Sequence, residues 1–126
     1  MPKYKPRAYS KDGTPTDQEN RIAQRFGGHR VSGSGASPFS KGDVRDVDAV
    51  TEDGESIRFL VECKKTIHAS LSVKWDWLRK ISGEADDKGG HEPALAIEIQ
   101  GGPNDPRTDR DWVMIPARVF EKLKGV

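Results

Sequence analysis

The chain has 126 residues, the length of one domain built on one core, which leaves no room for a second catalytic domain. Apolar and charged residues each make up 33% of it, so the core is modest, the solvated surface is extensive, and self-association would bury more of the chain. A formal net charge of +1 excludes the strong overall positive field of a basic DNA-binding domain, and any nucleic-acid contact has to come from local clustering.

Such clustering occurs early. Lys3, Lys5, Arg7 and Lys11 precede the first acid, Asp12, and Arg21, Arg25, His29 and Arg30 follow in the next element. A solvated tail and a charged helix face explain the same residues without DNA. Residues 1–15, with Pro2, Pro6, Gly13 and Pro15 and no apolar periodicity, read as a basic arm, and residues 16–126 as a single domain. Thr16-Asp17-Gln18-Glu19 has capping-box spacing and opens a helix whose stripe is Ile22, Ala23 and Phe26, with Gly27-Gly28 as its stop.

A short strand is expected over His29 to Val31, then a polar loop, Ser32 to Gly42, whose glycines lack the spacing of nucleotide-binding loops. A second strand covers Val44 to Val50. Glu52-Asp53-Gly54-Glu55 makes a hairpin turn into a third strand, Ile57 to Lys64. There Ile57, Phe59, Val61 and Cys63 share one face, and Glu62 and Lys64 share the other. Cys63, the single cysteine, can form no intrachain disulfide and has the parity of a small buried residue.

From Ser72, a candidate N-cap, the period becomes helical through Val73, Trp77, Leu78, Ile81 and Ala85. Trp77 falls on that stripe and Trp75 off it. Strands at Pro93 to Ile99 and Trp112 to Ile115 follow. Pro116 then opens a last helix carrying Val119, Phe120 and Leu123 and ending near Gly125. The order is αβββαββα, without repeats.

The charged face of the third strand carries the chemistry. Glu62 offers a hard oxygen ligand beside the Lys64 ammonium, and Asp43 upstream offers another carboxylate. Mg²⁺ commonly takes one or two carboxylates plus waters and substrate phosphate, which suits phosphodiester hydrolysis. Lys64 is then placed to position or deprotonate the attacking water, or to stabilise the transition state. An ordinary ion-paired strand face is the alternative for Glu62 and Lys64. Glu19 is explained by its cap position alone, although a carboxylate at a helix end can serve both purposes.

Ser40-Lys41-Gly42-Asp43-Val44-Arg45, Val61-Glu62-Cys63-Lys64, Ala94-Leu95-Ala96-Ile97 and Asp111-Trp112-Val113-Met114-Ile115-Pro116, behind a helix bearing Glu19, resemble the PD-(D/E)xK nuclease superfamily over about residues 16 to 120. Within it the resemblance is to the archaeal-type and phage Holliday junction resolvases. It implies an α/β fold with a restriction-endonuclease-like core, a mixed central β-sheet flanked by helices. It further implies that Asp43 and Glu62 bind metal, Mg²⁺ with Mn²⁺ as a substitute, that Lys64 is catalytic, and that Glu19 contributes from the first helix. The implied function is a structure-selective endonuclease making paired symmetric nicks in four-way junctions as a homodimer, since a twofold axis presents two sites to opposed strands.

Eighteen residues lie between Asp43 and Glu62, a long separation for these resolvases, which leaves Asp46 or Asp48 as alternative ligands. Ser40, Lys41 and Arg45 are the candidate phosphate contacts, with Lys65 and Lys74 as weaker ones, and Phe39 is placed either to wedge or stack at a junction centre or to anchor the loop into the core or a dimer partner. Glu98 and Gln100 share a parity that would let either approach the site from a neighbouring strand. His29, His68 and His91 with Cys63 lack the paired spacing of a zinc site. A duplex or flap nuclease of the same kind, or a catalytically silent DNA-binding module, are the competing functions. No apolar run approaches the roughly 20 residues that span a bilayer, and the basic start has no apolar signal region. The expected location is the cytoplasm, that of the host if the chain is phage-encoded, with no membrane partner.

Overall fold

The computed structural model describes residues 15–31 and 42–125. The expected arm up to residue 14, and Phe39, Ser40 and Lys41 of the glycine-rich loop, lie outside the described residues. The elements are α1 (Pro15–Phe26), β1 (His29–Arg30), β2 (Val44–Val50), β3 (Ser56–Thr66), α2 (Trp75–Lys88), β4 (Glu92–Ile99), β5 (Asp111–Met114) and α3 (Ala117–Lys124), in the αβββαββα order read from the sequence. The strands form one sheet in the order β1-β2-β3-β4-β5. All neighbours are antiparallel except β3 and β4, the parallel pair, whose crossover is α2.

The chain forms these elements for local reasons. Pro15 opens α1, where a missing amide costs nothing, and Gly27 ends it at a φ of +77°. Gly28 lets the chain pass close to β2, since a Cβ there would stand 2.6 Å from the Arg45 carbonyl oxygen. The β2–β3 turn closes with the Thr51 amide donating to the Glu55 carbonyl at 2.8 Å and the Thr51 hydroxyl bonding the Asp53 carboxylate. Gly54, at a φ of +89°, supplies the left-handed position.

One side of the sheet packs the main core, with Ile22 of α1 and Val119 of α3 against Val44, Ile57, Phe59, Val61, Ala94 and Ala96. The other side packs Leu60 under Ile81 and Ala85 of α2. β3 is therefore buried on both faces, including the one expected to be polar, because the crossover helix of a parallel pair lies directly over it. Removing Leu60 from water contributes about 1.5–3 kcal/mol.

Three helix expectations are corrected. α1 begins at Pro15, so Thr16 lies inside the helix and not at its N-cap. α2 starts at Trp75, with Lys74 in an extended conformation as its N-cap and no side-chain cap, not at Ser72. Its first turn closes through the Trp77 amide donating to the Lys74 carbonyl at 3.0 Å, and Val73 is exposed, so only Ile81 and Ala85 of the expected stripe are fully buried. Phe120, expected in the core, is 55% exposed, while Val119 is buried and Leu123 packs against the core. In a helix of two turns the stripe is narrow, and the residue next to Val119 turns outward. Among the described residues no helix is long and apolar enough to cross a membrane.

Candidate active site

The site lies where β3 outruns its neighbour. β2 pairs with β3 only as far as Val44 opposite Val61, so Glu62 to Thr66 extend past the end of that ladder. Asp43 sits at that end. Its amide donates to the Val61 carbonyl at 2.9 Å, and its Oδ2 accepts the Cys63 amide at 2.7 Å, which replaces the ladder bond that β2 no longer supplies.

A β-bulge sets the direction of Asp43. Val47 pairs with Phe59 and Val44 with Val61, so three steps along β2 match two along β3. Val44 and Val47 consequently share the core face despite their odd separation. In an unbulged strand the parity of Val47 would pass to Arg45 and Asp43. The extra residue sends Val44 inward and leaves Asp43 bonded to β3 through the Val61 carbonyl and the Cys63 amide, on either side of Glu62 in sequence.

Glu62 is 7% exposed and lies between two ammonium groups: Lys64 Nζ is 3.5 Å from its Oε2 and Lys80 Nζ of α2 is 3.4 Å from its Oε1. Burial, and then the Asp43 carboxylate, push the Glu62 pKa above its ordinary value, against the opposing pull of both lysines. Lys64 is held from its other side by the Trp77 ring, 4.7 Å from Nζ to the ring centroid. Lys80 also pairs with Glu84 at 3.1 Å, and Glu84 Oε1 accepts the Gly42 amide at 2.7 Å. The α2 face carrying Lys80 and Glu84 thus ties Glu62 to the segment that presents Asp43. For Lys80, burial opposes the charge but the Glu62 and Glu84 carboxylates prevail and raise its pKa.

Glu19 is buried on α1, where Arg30 Nε of β1 donates to its Oε1 at 3.2 Å. Burial and the Asp43 carboxylate raise its pKa, Arg30 opposes them, and Glu62 adds a smaller upward push. One residue earlier, Gln18 Nε2 donates to the Lys64 carbonyl at 2.8 Å and fastens α1 to the backbone of β3. Glu19, Asp43 and Glu62 are therefore three acids within electrostatic reach of one another, with Lys64 beside Glu62.

Hard oxygen donors that repel one another fit a divalent cation, which would relieve the repulsion. Among the described residues, however, no group of three or more His, Cys, Asp or Glu side chains is gathered closely enough to hold a metal ion. Cys63 offers no thiolate, since burial drives its pKa far upward. His91 is turned to Asp46 and to the Gly89 carbonyl.

The remaining sequence candidates are dispersed. Ser40 and Lys41 lie outside the described residues. Arg45 is exposed, with Nε 3.8 Å from Asp46 Oδ2. Asp48 pairs with Arg58 at 2.9 Å, and Asp46 with His91 at 3.2 Å, both away from Glu62. Glu98 is opposite Lys65 in the ladder and faces α1, where Arg21 meets it at 2.8 Å and Asp111 at 2.9 Å. The Gln100 amide extends the same ladder to the Thr66 carbonyl. Lys74 Nζ lies 5.9 Å from the Trp77 ring centroid. Lys80, Glu84, Gln18 and Arg30 were not anticipated. The signal for the first two was present in the spacing of Trp77, Lys80 and Glu84 along one helix face.

No family model matches the sequence, and no curated protein matches it. Among solved structures, the 1.6 Å structure of Archaeoglobus fulgidus Hjc, a Holliday junction resolvase from an archaeal hyperthermophile, is similar with a TM-score of 0.50 at 17% identity, over 86% of this chain and 92% of that one. The chain has an α/β fold of the restriction-endonuclease-like kind, a mixed central sheet flanked by helices, shared with that resolvase.

Proposed function

We propose that the chain is a Mg²⁺-dependent endodeoxyribonuclease that recognises branched DNA and resolves four-way junctions by paired symmetric nicks, acting as a homodimer. The observation that carries this reading is the Asp43 carboxylate held on the Cys63 amide beyond the β2–β3 ladder, next in sequence to Glu62, with the Lys64 ammonium 3.5 Å from Glu62. A resolvase fold around that arrangement supports it.

Asp43 and Glu62 would hold the cation, with Glu19 behind them. Bound Mg²⁺ would acidify a water, hold the scissile phosphate and offset charge on the leaving oxygen; Mn²⁺ would substitute. Lys64, restrained by Glu62 and Trp77, can donate a hydrogen bond to the attacking water or to a phosphate oxygen. Lys80 adds a second cation on the same side, and Arg45, with Ser40 and Lys41, would contact the flanking backbone. Two copies about a twofold axis would supply two sites to opposed strands.

The test is cleavage of a four-way junction, a matched duplex and a flap with Mg²⁺. Preference for the junction supports the reading. Equal cutting of all three reduces it to a general nuclease, and binding without cutting points to a silent DNA-binding module.

A further inference from the structure

The bulge that aims Asp43 has its own fastening. Asp46 sits in the bulge at a φ of +60°, a left-handed conformation among non-glycine residues that asparagine and aspartate tolerate best. Its Oδ1 lies 3.2 Å from His91 Nε2 and 4.0 Å from Arg58 Nε on β3. The other ring nitrogen of His91, Nδ1, is 2.9 Å from the Gly89 carbonyl at the C-terminus of α2. The imidazole is 9% exposed and the Asp46 carboxylate 31%, so the contact is shielded on the His91 side and open to water on the other. His91 precedes β4, and the bond therefore joins the bulged strand to the α2–β4 connection across the sheet.

We propose that Asp46 and His91 are positioning residues that hold the bulge and through it keep the Asp43 carboxylate on the Cys63 amide, beside Glu62 in the chain. This inference deepens the nuclease reading above and takes from it the role of Asp43. Without the extra residue, Val47 opposite Phe59 would put Arg45 opposite Val61 and Asp43 opposite Cys63, on the core face. Val44 in the core and Arg45 outside favour the bulge through burial. The Asp46–His91 contact supplies what burial does not, a side-chain restraint on the one residue that must remain left-handed.

The reporter is the Cys63 amide, which donates to Asp43 Oδ2. Its chemical shift and exchange rate follow the aim of Asp43 without requiring cleavage. His91→Ala is expected to move that resonance upfield and speed its exchange roughly tenfold or more. Asp46→Asn, which keeps an acceptor and tolerates the left-handed region, is expected to leave the resonance in place. Leu78→Ala, on the α2 side that faces Leu95 and Met114 and not the residues flanking the bulge, should lower Tm without moving the resonance, which separates positioning from general loss of stability. If His91→Ala fails to fold, His91→Gln, able to reach only one of the two oxygens, is expected to shift the resonance in the same direction. An unmoved Cys63 amide in the folded His91 variant, or an Asp46→Asn resonance displaced like that of His91→Ala, would overturn the proposal. A protein that cuts no DNA while its Cys63 amide responds as described would refute the nuclease reading and leave the positioning inference standing.

Discussion

Asp43 Oδ2 accepts the backbone amide of Cys63 at 2.7 Å, a bond between residues 20 positions apart that holds a carboxylate against the strand carrying Glu62 and Lys64. The contact separates two roles of Asp43. Asp43→Asn keeps a carbonyl oxygen for the amide and removes the charge, so Tm should change by only a few degrees while cleavage falls at least ~100-fold. Asp43→Ala leaves the Cys63 amide without its partner and should also cost about 1–3 kcal/mol in urea unfolding. Equal stability loss in the two variants would contradict this division.

Glu62 gives a pH dependence of definite sign. Its folded pKa lies above its ordinary value of 4.5, through burial first and Asp43 second, so the charged form costs stability. The cost is absent below pH 4.5, grows as pH rises through 4.5 to the raised folded value, and is complete above it. Without metal, Glu62→Gln should therefore raise Tm near neutral pH by about 2–6 °C, and the gain should disappear in melts below about pH 4. Added Mg²⁺ should stabilise the wild type and have little effect on Glu62→Gln. A variant less stable than wild type at neutral pH would show that the Lys64 and Lys80 pairs outweigh burial.

Glu84 contacts none of the proposed ligands yet accepts the Gly42 amide and pairs with Lys80. Glu84→Ala should cost about 1–2 kcal/mol and slow junction cleavage about tenfold, chiefly through weaker metal dependence, read as a higher Mg²⁺ concentration at half-maximal rate. An unchanged Mg²⁺ dependence would remove Glu84 from the support of the site.

Gly42 is constrained twice. Its φ is +67°, and an added Cβ would stand 2.6 Å from Leu60 Cγ, in a side chain already packed beneath α2. Gly42→Ala should destabilise the protein by more than about 2 kcal/mol in urea unfolding, and no rotation of the new methyl relieves it. A loss below ~0.5 kcal/mol would mean that Leu60 can give way.

Element order was legible in the sequence because it rests on local signals: the apolar alternation of Ile57 to Cys63, the Asp53-Gly54 turn, and the helical spacing of Ile81 and Ala85. Parity also separated Glu62 from Cys63. What parity concealed was the bulge, since one added residue between Val44 and Val47 shifts how Arg45, Val44 and Asp43 meet β3. Only the pairing with β3 reveals it. The burial of Glu62 was hidden for a related reason, because no residue of β3 announces that α2 will cover it. Lys80 and Glu84 are spaced to pair on one helix face, and their contact with Glu62 and Gly42 is a product of the crossover.

Single-turnover cleavage of an end-labelled four-way junction with Mg²⁺, wild type beside Glu62→Gln, bears most heavily on the proposed site. Wild type should cut two opposed strands at symmetric positions and Glu62→Gln should be slower by at least ~100-fold while remaining folded. Cleavage by Glu62→Gln at the wild-type rate would contradict the site, and no junction cleavage by the wild type would contradict the function.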